Sequence, residues 1–140
     1  MQQTLSIVKP DGVQKNIIGE VITRFERAGL KIAALRMVKL GIEEAGRFYI
    51  VHKERPFYGE LTAFISEGPI VVMVIEGKDA IKRVRDIMGA TNPKEARPGT
   101  IRADFATNIE RNIVHGSDSP ESAAYEIPFF FSAPDIMKNS

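Results

Sequence analysis

The chain of 140 residues is long enough for one compact domain and too short for two ordinary ones, so we expect residues 1–140 to form a single domain. Its 19 Lys and Arg residues nearly balance its 18 Asp and Glu residues, for a formal charge of +1, which excludes whole-molecule attraction to nucleic acid or to an anionic membrane. The absence of cysteine excludes disulfides, thiolate metal sites and thiol nucleophiles.

No segment of the sequence is typical of a membrane protein or of a secreted one. The longest apolar run, residues 70–75, is far shorter than the roughly 20 residues of a membrane-spanning helix. The amino terminus lacks a basic region followed by an apolar stretch, which a secretory signal would have. We therefore expect a soluble protein that resides in the cytoplasm and has no membrane segment.

The first quarter of the chain predicts a strand, a helix and a second strand. Residues 5–9 alternate as a strand does and run into the turn residues Pro10-Asp11-Gly12. Apolar residues at helical spacing predict a helix over 18–28, with Gly29 at the position of a left-handed cap. Residues 31–40 are dense in apolar and basic side chains and predict a second strand, although their Ala and Leu residues would also suit a helix.

The middle of the chain predicts a helical hairpin, a central strand and a helix. Helical spacing over 43–53 resumes over 59–66, after an interruption at Pro56. The continuous β-branched run at 70–75 predicts a strand buried on both faces. An apolar stripe then predicts a helix over 80–88.

The last third predicts a long loop, a brief strand and a final helix. Residues 89–108 are rich in Gly, Pro and Thr without periodicity, and loops of this length are usually functional or disordered. Ile113 and Val114 predict a short strand, and Ser119-Pro120 predicts the start of a helix that Pro128 should kink or end early. This element order suits a sandwich of helices and one antiparallel sheet.

Residues 82–102 hold six basic side chains against two acidic ones, a local charge of +4. One interpretation is a solvated helix face followed by an exposed loop. The other is an anion pocket, because Arg offers bidentate geometry to phosphate, and Thr91 and Thr100 add hydroxyl donors. The residues alone leave both interpretations open.

His115 is the candidate for covalent chemistry. It follows the predicted short strand and precedes a helix amino terminus, and Asn112, Ser117 and Asp118 lie close by in sequence. Glu126, further along the predicted helix, could reach back to orient the imidazole. A lone histidine is more often structural, and Glu126 could equally be an exposed helix residue.

Other residues are compatible with a nucleotide ligand but also have a purely structural interpretation. Phe57 follows the break at Pro56, where its ring could be core filler or a platform for a base. Lys9 is either a solvated lysine or a ligand contact at the rim of the sheet. Neither GxxxxGK[ST] nor GxGxxG occurs in the sequence, so any nucleotide would be held by side chains rather than by a glycine-rich loop.

The residues around His115 complete a known pattern. The segment NIVHGSDS at 112–119 closely resembles the active-site signature of nucleoside diphosphate kinases. The resemblance extends over nearly the whole chain, through TLSIVKPDGV at 4–13, GPIVVMVIEG at 68–77, MGATNP at 88–93 and PGTIRADF at 98–105.

The resemblance implies that His115 takes the γ-phosphate of a nucleoside triphosphate and passes it to a nucleoside diphosphate. A neutral imidazole is a good nucleophile near pH 7. Because the phosphate is held covalently on the histidine, one pocket can serve the donor and the acceptor in turn. The resemblance assigns catalytic roles to Lys9, Tyr49, Ser117 and Glu126 besides His115. It assigns nucleotide contacts to Lys9, His52, Phe57, Leu61, Arg85, Thr91, Arg102, Ile109 and Asn112.

The resemblance also implies a fold, a cofactor and an assembly. The fold is an α+β ferredoxin-like sandwich, βαββαβ on a four-stranded antiparallel sheet, with an extra helical hairpin and a long loop before the last strand. Mg²⁺ is expected to bind mainly through the nucleotide phosphates rather than to protein ligands. The chain is expected to form a homo-oligomer, a tetramer or a hexamer built from dimers.

Two other functions fit the same plan of elements. RNA-recognition domains share the βαββαβ order but carry aromatic residues on their two central strands, whereas LSIVKP and IVVMVI contain none. A non-catalytic relative of the kinases would be expected to lose the histidine, and His115 is present. Neither alternative is favoured, and nucleic acid is not indicated as a partner.

Overall fold

The computed structural model describes residues 1–137, and within them four strands form one sheet. The strands are β1 (Gln2–Val8), β2 (Lys31–Val38), β3 (Ile70–Gly77) and β4 (Val114–Gly116), in the order β2-β3-β1-β4. Every neighbouring pair is antiparallel. The predicted α+β ferredoxin-like fold on a four-stranded antiparallel sheet is confirmed.

Seven α-helices in the described residues connect and cover the strands. They are α1 (Pro10–Gln14), α2 (Ile18–Arg27), α3 (Ile42–Phe48), α4 (Tyr58–Ile65), α5 (Ala80–Met88), α6 (Ile101–Phe105) and α7 (Pro120–Phe130). Single turns of 3₁₀-helix follow α3 at Ile50–His52 and α7 at Ala133–Asp135. None of these helices is long and apolar enough to cross a membrane.

Strand β3 is buried along its whole length because helices pack on both faces of the sheet. Its residues alternate between two apolar clusters. Val72 and Val74 face the cluster formed with α3, α4 and α7, whereas Met73 and Ile75 face the cluster formed with α2, α5 and α6. A strand buried on both faces reads as a continuous apolar run, which explains why the prediction of a central strand is confirmed.

Two short helices replace segments that the sequence predicts as turn and loop. Residues 10–12, predicted as a turn, begin α1, and the predicted loop 89–108 contains α6. At the start of α6, Thr100 Oγ1 accepts a hydrogen bond from Ala103 N at 3.3 Å. Each helix has only five residues, too few for an apolar period to be visible in the sequence.

Two predicted boundaries are wrong, and of the two effects expected of Pro128 an early end of the helix is not observed. The helix expected over 43–53 ends at Phe48 and continues only as the 3₁₀ turn. The last strand contains His115 rather than preceding it, because Ile113 adopts a left-handed conformation with φ 75° and cannot begin the strand. Pro128 does not end α7, which runs to Phe130, and Phe131 N still donates to Ile127 O at 3.0 Å. Proline removes only its own N–H from the helix ladder.

Candidate active site

His115 lies in β4, and its ring is oriented by a carboxylate from α7. Glu126 Oε1 is 2.9 Å from His115 Nε2, and the side chains are 13% and 19% exposed, respectively. A carboxylate accepts hydrogen bonds, so this contact favours the tautomer with hydrogen on Nε2. Nδ1 then keeps its lone pair, and within residues 1–137 no protein group forms a hydrogen bond to it.

Helix α7 carries Glu126 to the histidine because its amino terminus is well defined. Ser119 Oγ accepts from Ser122 N at 3.0 Å, and Pro120 occupies the first turn. Both features favour helix initiation. The predicted start of this helix is therefore confirmed, and the contact places Glu126 beside His115 rather than in solvent.

Ser117 forms a second hydrogen bond to the Glu126 carboxylate. The buried Ser117 Oγ donates to Glu126 Oε1 at 2.8 Å, and Ser117 Oγ itself accepts from Leu5 N at 3.2 Å. Ser117 thereby links the carboxylate to β1. The result is a fixed series of contacts from β1 through the hydroxyl and the carboxylate to the imidazole.

Aromatic rings from the end of α3 form the apolar wall of the site. The Phe48 ring packs edge-on to the His115 ring with 5.6 Å between centroids, and the Tyr49 ring does so at 6.4 Å. Burial raises the pKa of the Tyr49 phenol, and the negative charge of Glu126 raises it further, so Tyr49 stays protonated at neutral pH. Sequence analysis did not single out Phe48, because a helical phenylalanine is indistinguishable from core filler.

Lys9 and Asn112 meet where β1 ends and the chain approaches β4. Lys9 Nζ donates to Asn112 Oδ1 at 2.9 Å, and Asn112 Nδ2 donates to Ile109 O at 2.8 Å. Burial and, to a smaller extent, the nearby Arg102 charge lower the pKa of Lys9 to about 8, and the charge of Asp11 opposes both effects. Lys9 is therefore a buried cation within the electrostatic reach of a second one.

Arg102 is bound to the backbone around the site. Its guanidinium donates to the carbonyl oxygens of Gly89, Asn112 and Val114 at 3.1, 3.3 and 2.7 Å. Burial and, to a smaller extent, the positive charge of Arg85 lower its pKa to about 10. Arg102 thus fixes the shape of the segment that leads into β4, besides bringing a positive charge to it.

The anion pocket predicted over 82–102 is smaller than the local charge suggested. Arg85 Nη1 donates to Gly116 O at 3.1 Å, next to His115 in β4. Lys82 instead pairs with Asp86 at 2.7 Å, and Arg83 donates to the carbonyl oxygen of Ala28. Arg85 and Arg102 therefore reach the backbone around β4, whereas Lys82 and Arg83 have other partners.

A series of rings leads from His115 towards the surface. Tyr49 and His52 have centroids 6.2 Å apart, and His52 and Phe57 are 5.5 Å apart. Phe57 ends the series just before α4 and is 46% exposed. The structure thus leaves a large aromatic surface open to solvent at the outer end of this series.

The remaining predicted contacts are less closely tied to His115. Leu61 lies in α4 and packs against the apolar cluster of α3 and α7. Ile109 is 50% exposed, in the segment that leads to Asn112. Thr91 is exposed after α5, and within the described chain no hydrogen bond joins it to the residues around His115.

Comparison with known proteins identifies the family. The family profile described as nucleoside diphosphate kinase matches residues 2–136. A nucleoside diphosphate kinase of Nitrosococcus oceani is 62% identical over 97% of this chain and 95% of its own. One of Desulfosudis oleivorans is 60% identical over 98% of this chain and 99% of its own.

Solved structures give the same result. The crystal structure of the Aquifex aeolicus nucleoside diphosphate kinase is 52% identical, with a TM-score of 0.95 over 97% of this chain and 99% of that one. The nucleoside diphosphate kinase of Halobacterium salinarum in complex with CDP is 39% identical, with a TM-score of 0.94 over 99% of this chain and 93% of that one. The chain belongs to the nucleoside diphosphate kinase family.

Proposed function

We propose that this enzyme transfers the γ-phosphate of a nucleoside triphosphate, typically ATP, to a nucleoside diphosphate through a phosphohistidine at His115. The observation that carries the proposal is the contact of His115 Nε2 with Glu126 Oε1 at 2.9 Å. It leaves Nδ1 as the unprotonated nitrogen of a half-buried imidazole. Such a nitrogen is a nucleophile at neutral pH.

The transfer takes place in two displacements at phosphorus. In the first, the Nδ1 lone pair attacks the γ-phosphorus, a N–P bond forms, and the bond to the β–γ bridging oxygen breaks, so that the electron pair leaves with the diphosphate. In the second, a terminal oxygen of the acceptor diphosphate attacks the same phosphorus and the N–P bond breaks. The Nε2 hydrogen stays on the imidazole and is donated to Glu126 Oε1 throughout, so neither step needs a proton from solvent.

Three cations would stabilise the transferring group. We assign phosphate contacts to Arg85, Arg102 and Lys9, because positive charge fixed in a site with little water stabilises a charged transition state. Arg102 and Lys9 are buried, and Arg85 lies beside Gly116. Thr91 would add a hydroxyl donor to the phosphates from the segment after α5.

Mg²⁺ would enter as the complex of the nucleotide phosphates. Within residues 1–137 no group of three or more His, Asp or Glu side chains is placed to hold a metal ion. A magnesium ion usually keeps several waters and is bound through substrate phosphates, which is compatible with a site lined by Arg85, Arg102 and Lys9. When bound, the ion would neutralise phosphate charge, and the arginines would orient the same oxygens.

The nucleoside would lie at the outer end of the series of rings. We propose that the base stacks on Phe57, with Leu61 and Ile109 as apolar neighbours, His52 as a pocket residue, and Lys9 and Asn112 as contacts to sugar and phosphate. Stacking tolerates any base because every base has a π-face. The exposed Phe57 ring supports this assignment, and stacking of this kind predicts an enzyme that accepts several bases.

We also propose a homo-oligomer built from dimers, either a tetramer or a hexamer, that works in the cytoplasm. Strand β2 lies at the edge of the sheet, and its Leu35 and Met37 side chains are 52% and 57% exposed. Exposed apolar residues on an edge strand favour association with another chain. Sedimentation equilibrium distinguishes the two assemblies, and a monomer at micromolar concentration would contradict both.

Isotope exchange tests the proposed function directly. Labelled ADP and unlabelled ATP are incubated with the enzyme and Mg²⁺ in the absence of any other nucleotide. A phosphoenzyme intermediate requires label to appear in ATP, because the enzyme takes phosphate from ATP and returns it to ADP. Label that does not appear in ATP would overturn the two-step route.

A further inference from the structure

The chain makes an unusual turn immediately before β4. Ile113 has φ 75°, and Val114 N donates to Asn112 O across it at 2.8 Å. This is the geometry of a classic γ-turn, which is rare and strained. A β-branched residue in that conformation costs about 1–3 kcal/mol and persists only where its surroundings hold it.

The start of α1 supplies what holds the turn. Lys9 N donates to Ile113 O at 2.8 Å, and Asp11 Oδ2 accepts from Ile113 N at 3.0 Å. Both backbone polar groups of the strained residue are therefore bound by one short segment. Gly12 completes the contact, because a Cβ there would lie 3.1 Å from Ile113 Cγ2 and 2.7 Å from Val8 Cγ1.

Asp11 is an unusual residue for this task. It is 4% exposed, and its second oxygen, Oδ1, is buried without a hydrogen-bond partner in the described part of the chain. An unsatisfied buried carboxylate oxygen destabilises the folded protein. An asparagine side chain is also able to accept a hydrogen bond from a backbone amide, so stability alone does not explain a carboxylate here.

The turn lies between the two halves of the site. Asn112, on one side of Ile113, accepts from Lys9 Nζ. His115, two residues beyond Ile113, pairs with Ile7 in the sheet and contacts Glu126. A change in the turn would therefore move the amide of Asn112 and the imidazole of His115 relative to each other.

We propose that Asp11 is a positioning residue for phosphoryl transfer: its carboxylate locks the Ile113 turn and so fixes His115 and Asn112 relative to Lys9. The proposal rests on the function proposed above, since it concerns the same histidine. The charge of Asp11 also favours the protonated form of Lys9, so one carboxylate supports both the geometry and the charge of the site.

Replacement of Asp11 separates positioning from stability. Asp11→Ala removes the acceptor for Ile113 N, and Asp11→Asn keeps an oxygen acceptor of the same reach. Asp135→Asn, at an exposed aspartate near the carboxyl end, controls for loss of a carboxylate elsewhere. Rapid-quench experiments with terminally labelled ATP measure the rate constant of phosphoenzyme formation. The rate constant is taken from the approach to the final level of labelling, so that protein which never becomes labelled does not affect it.

We expect Asp11→Ala to lower this rate constant about 10- to 100-fold, as small misplacements of a reacting group do, and Asp11→Asn and Asp135→Asn to react at rates close to that of the parent. A merely structural role would lower the melting temperature and the labelled fraction but leave the rate constant per labelled site unchanged, which would overturn the proposal. An Asp11→Asn variant as slow as Asp11→Ala would overturn it too.

Two further results, a variant that does not fold and a parent protein that is not labelled, are also informative. If Asp11→Ala does not fold, Asp11→Ser replaces it, because the shorter hydroxyl cannot reach Ile113 N as the carboxylate does, and the same slow rate is expected. If the parent protein itself forms no phosphohistidine, the proposed function has failed. A labelled parent together with an equally fast Asp11→Ala or Asp11→Ser variant would instead overturn only the role of Asp11.

Discussion

Glu126 Oε1 accepts two hydrogen bonds, one from His115 Nε2 at 2.9 Å and one from Ser117 Oγ at 2.8 Å. A single carboxylate oxygen thus fixes both the direction of the imidazole and its tautomer. The hydroxyl in turn is held by the backbone of Leu5. The direction of the imidazole is therefore determined by the sheet as well as by the helix.

We expect Glu126→Gln to slow phosphoenzyme formation by about two to four orders of magnitude, since an amide in place of an orienting carboxylate can favour the wrong tautomer. Rapid-quench labelling with terminally labelled ATP measures the rate. Glu121→Gln, at an exposed acid in the first turn of the same helix, is the matched control and should leave it unchanged. A parent-like rate in Glu126→Gln would show that Glu126 does not orient the histidine.

The buried Lys9 predicts a stability that depends on pH. Its pKa is lowered from 10.5 to about 8, so the unfolded chain binds this proton more tightly than the folded protein does. The destabilisation is complete below pH 8 and decreases as pH rises through 8 towards 10.5. The free energy of unfolding of the parent, measured relative to Lys9→Met, should therefore increase from pH 7.5 to pH 9.5. A constant difference would contradict the lowered pKa.

The same titration predicts weaker nucleotide binding at alkaline pH. Above pH 8 Lys9 loses the charge that would face the phosphates, so the dissociation constant for ADP should rise between pH 7 and pH 9.5. Lys9→Met should bind ADP weakly with little change over that range, and Lys78→Met, at an exposed lysine, should behave as the parent does. An equal pH dependence in Lys9→Met would assign the effect to another group.

Phe57→Ala should weaken nucleotide binding and leave the chemistry intact. Loss of base stacking is expected to cost about 1–3 kcal/mol, or roughly 5- to 150-fold in affinity. Saturating ATP should still label His115 fully, because Phe57 lies at the far end of the series of rings. Val51→Ala, at a neighbouring apolar residue that is 79% exposed, serves as the control. Unchanged affinity for every nucleotide would show that Phe57 is not the platform.

Arg102→Lys should destabilise the protein although it keeps the charge. A lysine cannot reach three carbonyl oxygens as the planar guanidinium does. Loss of even one hydrogen bond to a charged group costs about 1.5–3 kcal/mol, which chemical denaturation resolves. Arg27→Lys, at an exposed arginine of α2, should be neutral. Equal stability of the two variants would show that the carbonyl contacts of Arg102 are unimportant for folding.

The parts of the fold that the sequence predicts well are those with a visible period. The apolar run of β3 matches its strand because the strand is buried on both faces. The apolar stripe of α5 matches its helix because one face of the helix is buried. Helices α1 and α6 show no such period, because each has only five residues. The left-handed Ile113 is the extreme case, because nothing in a β-branched residue predicts it.

The candidate site divides in the same way. The position of His115 in a signature segment was sufficient to single it out, and the spacing of Glu126 on a helix suggested a contact that the docking of α7 then makes. The sequence could not predict that Arg102 binds three carbonyl oxygens, because a buried arginine suits backbone and phosphate equally. The segment Pro10-Asp11-Gly12 predicts a turn and does not indicate that Asp11 is buried, since the burial of a carboxylate depends on the packing around it.

The most direct test of the central claim is the fate of the γ-phosphate. Incubation with terminally labelled ATP and Mg²⁺, followed by separation from free nucleotide, should leave label on the protein that is lost in acid and stable in base, and that ADP removes as ATP. Peptide mapping should place it on His115, and His115→Ala should carry none, whereas His52→Ala should still be labelled. Label that persists in His115→Ala, or a parent protein that carries no transferable label, would contradict the account.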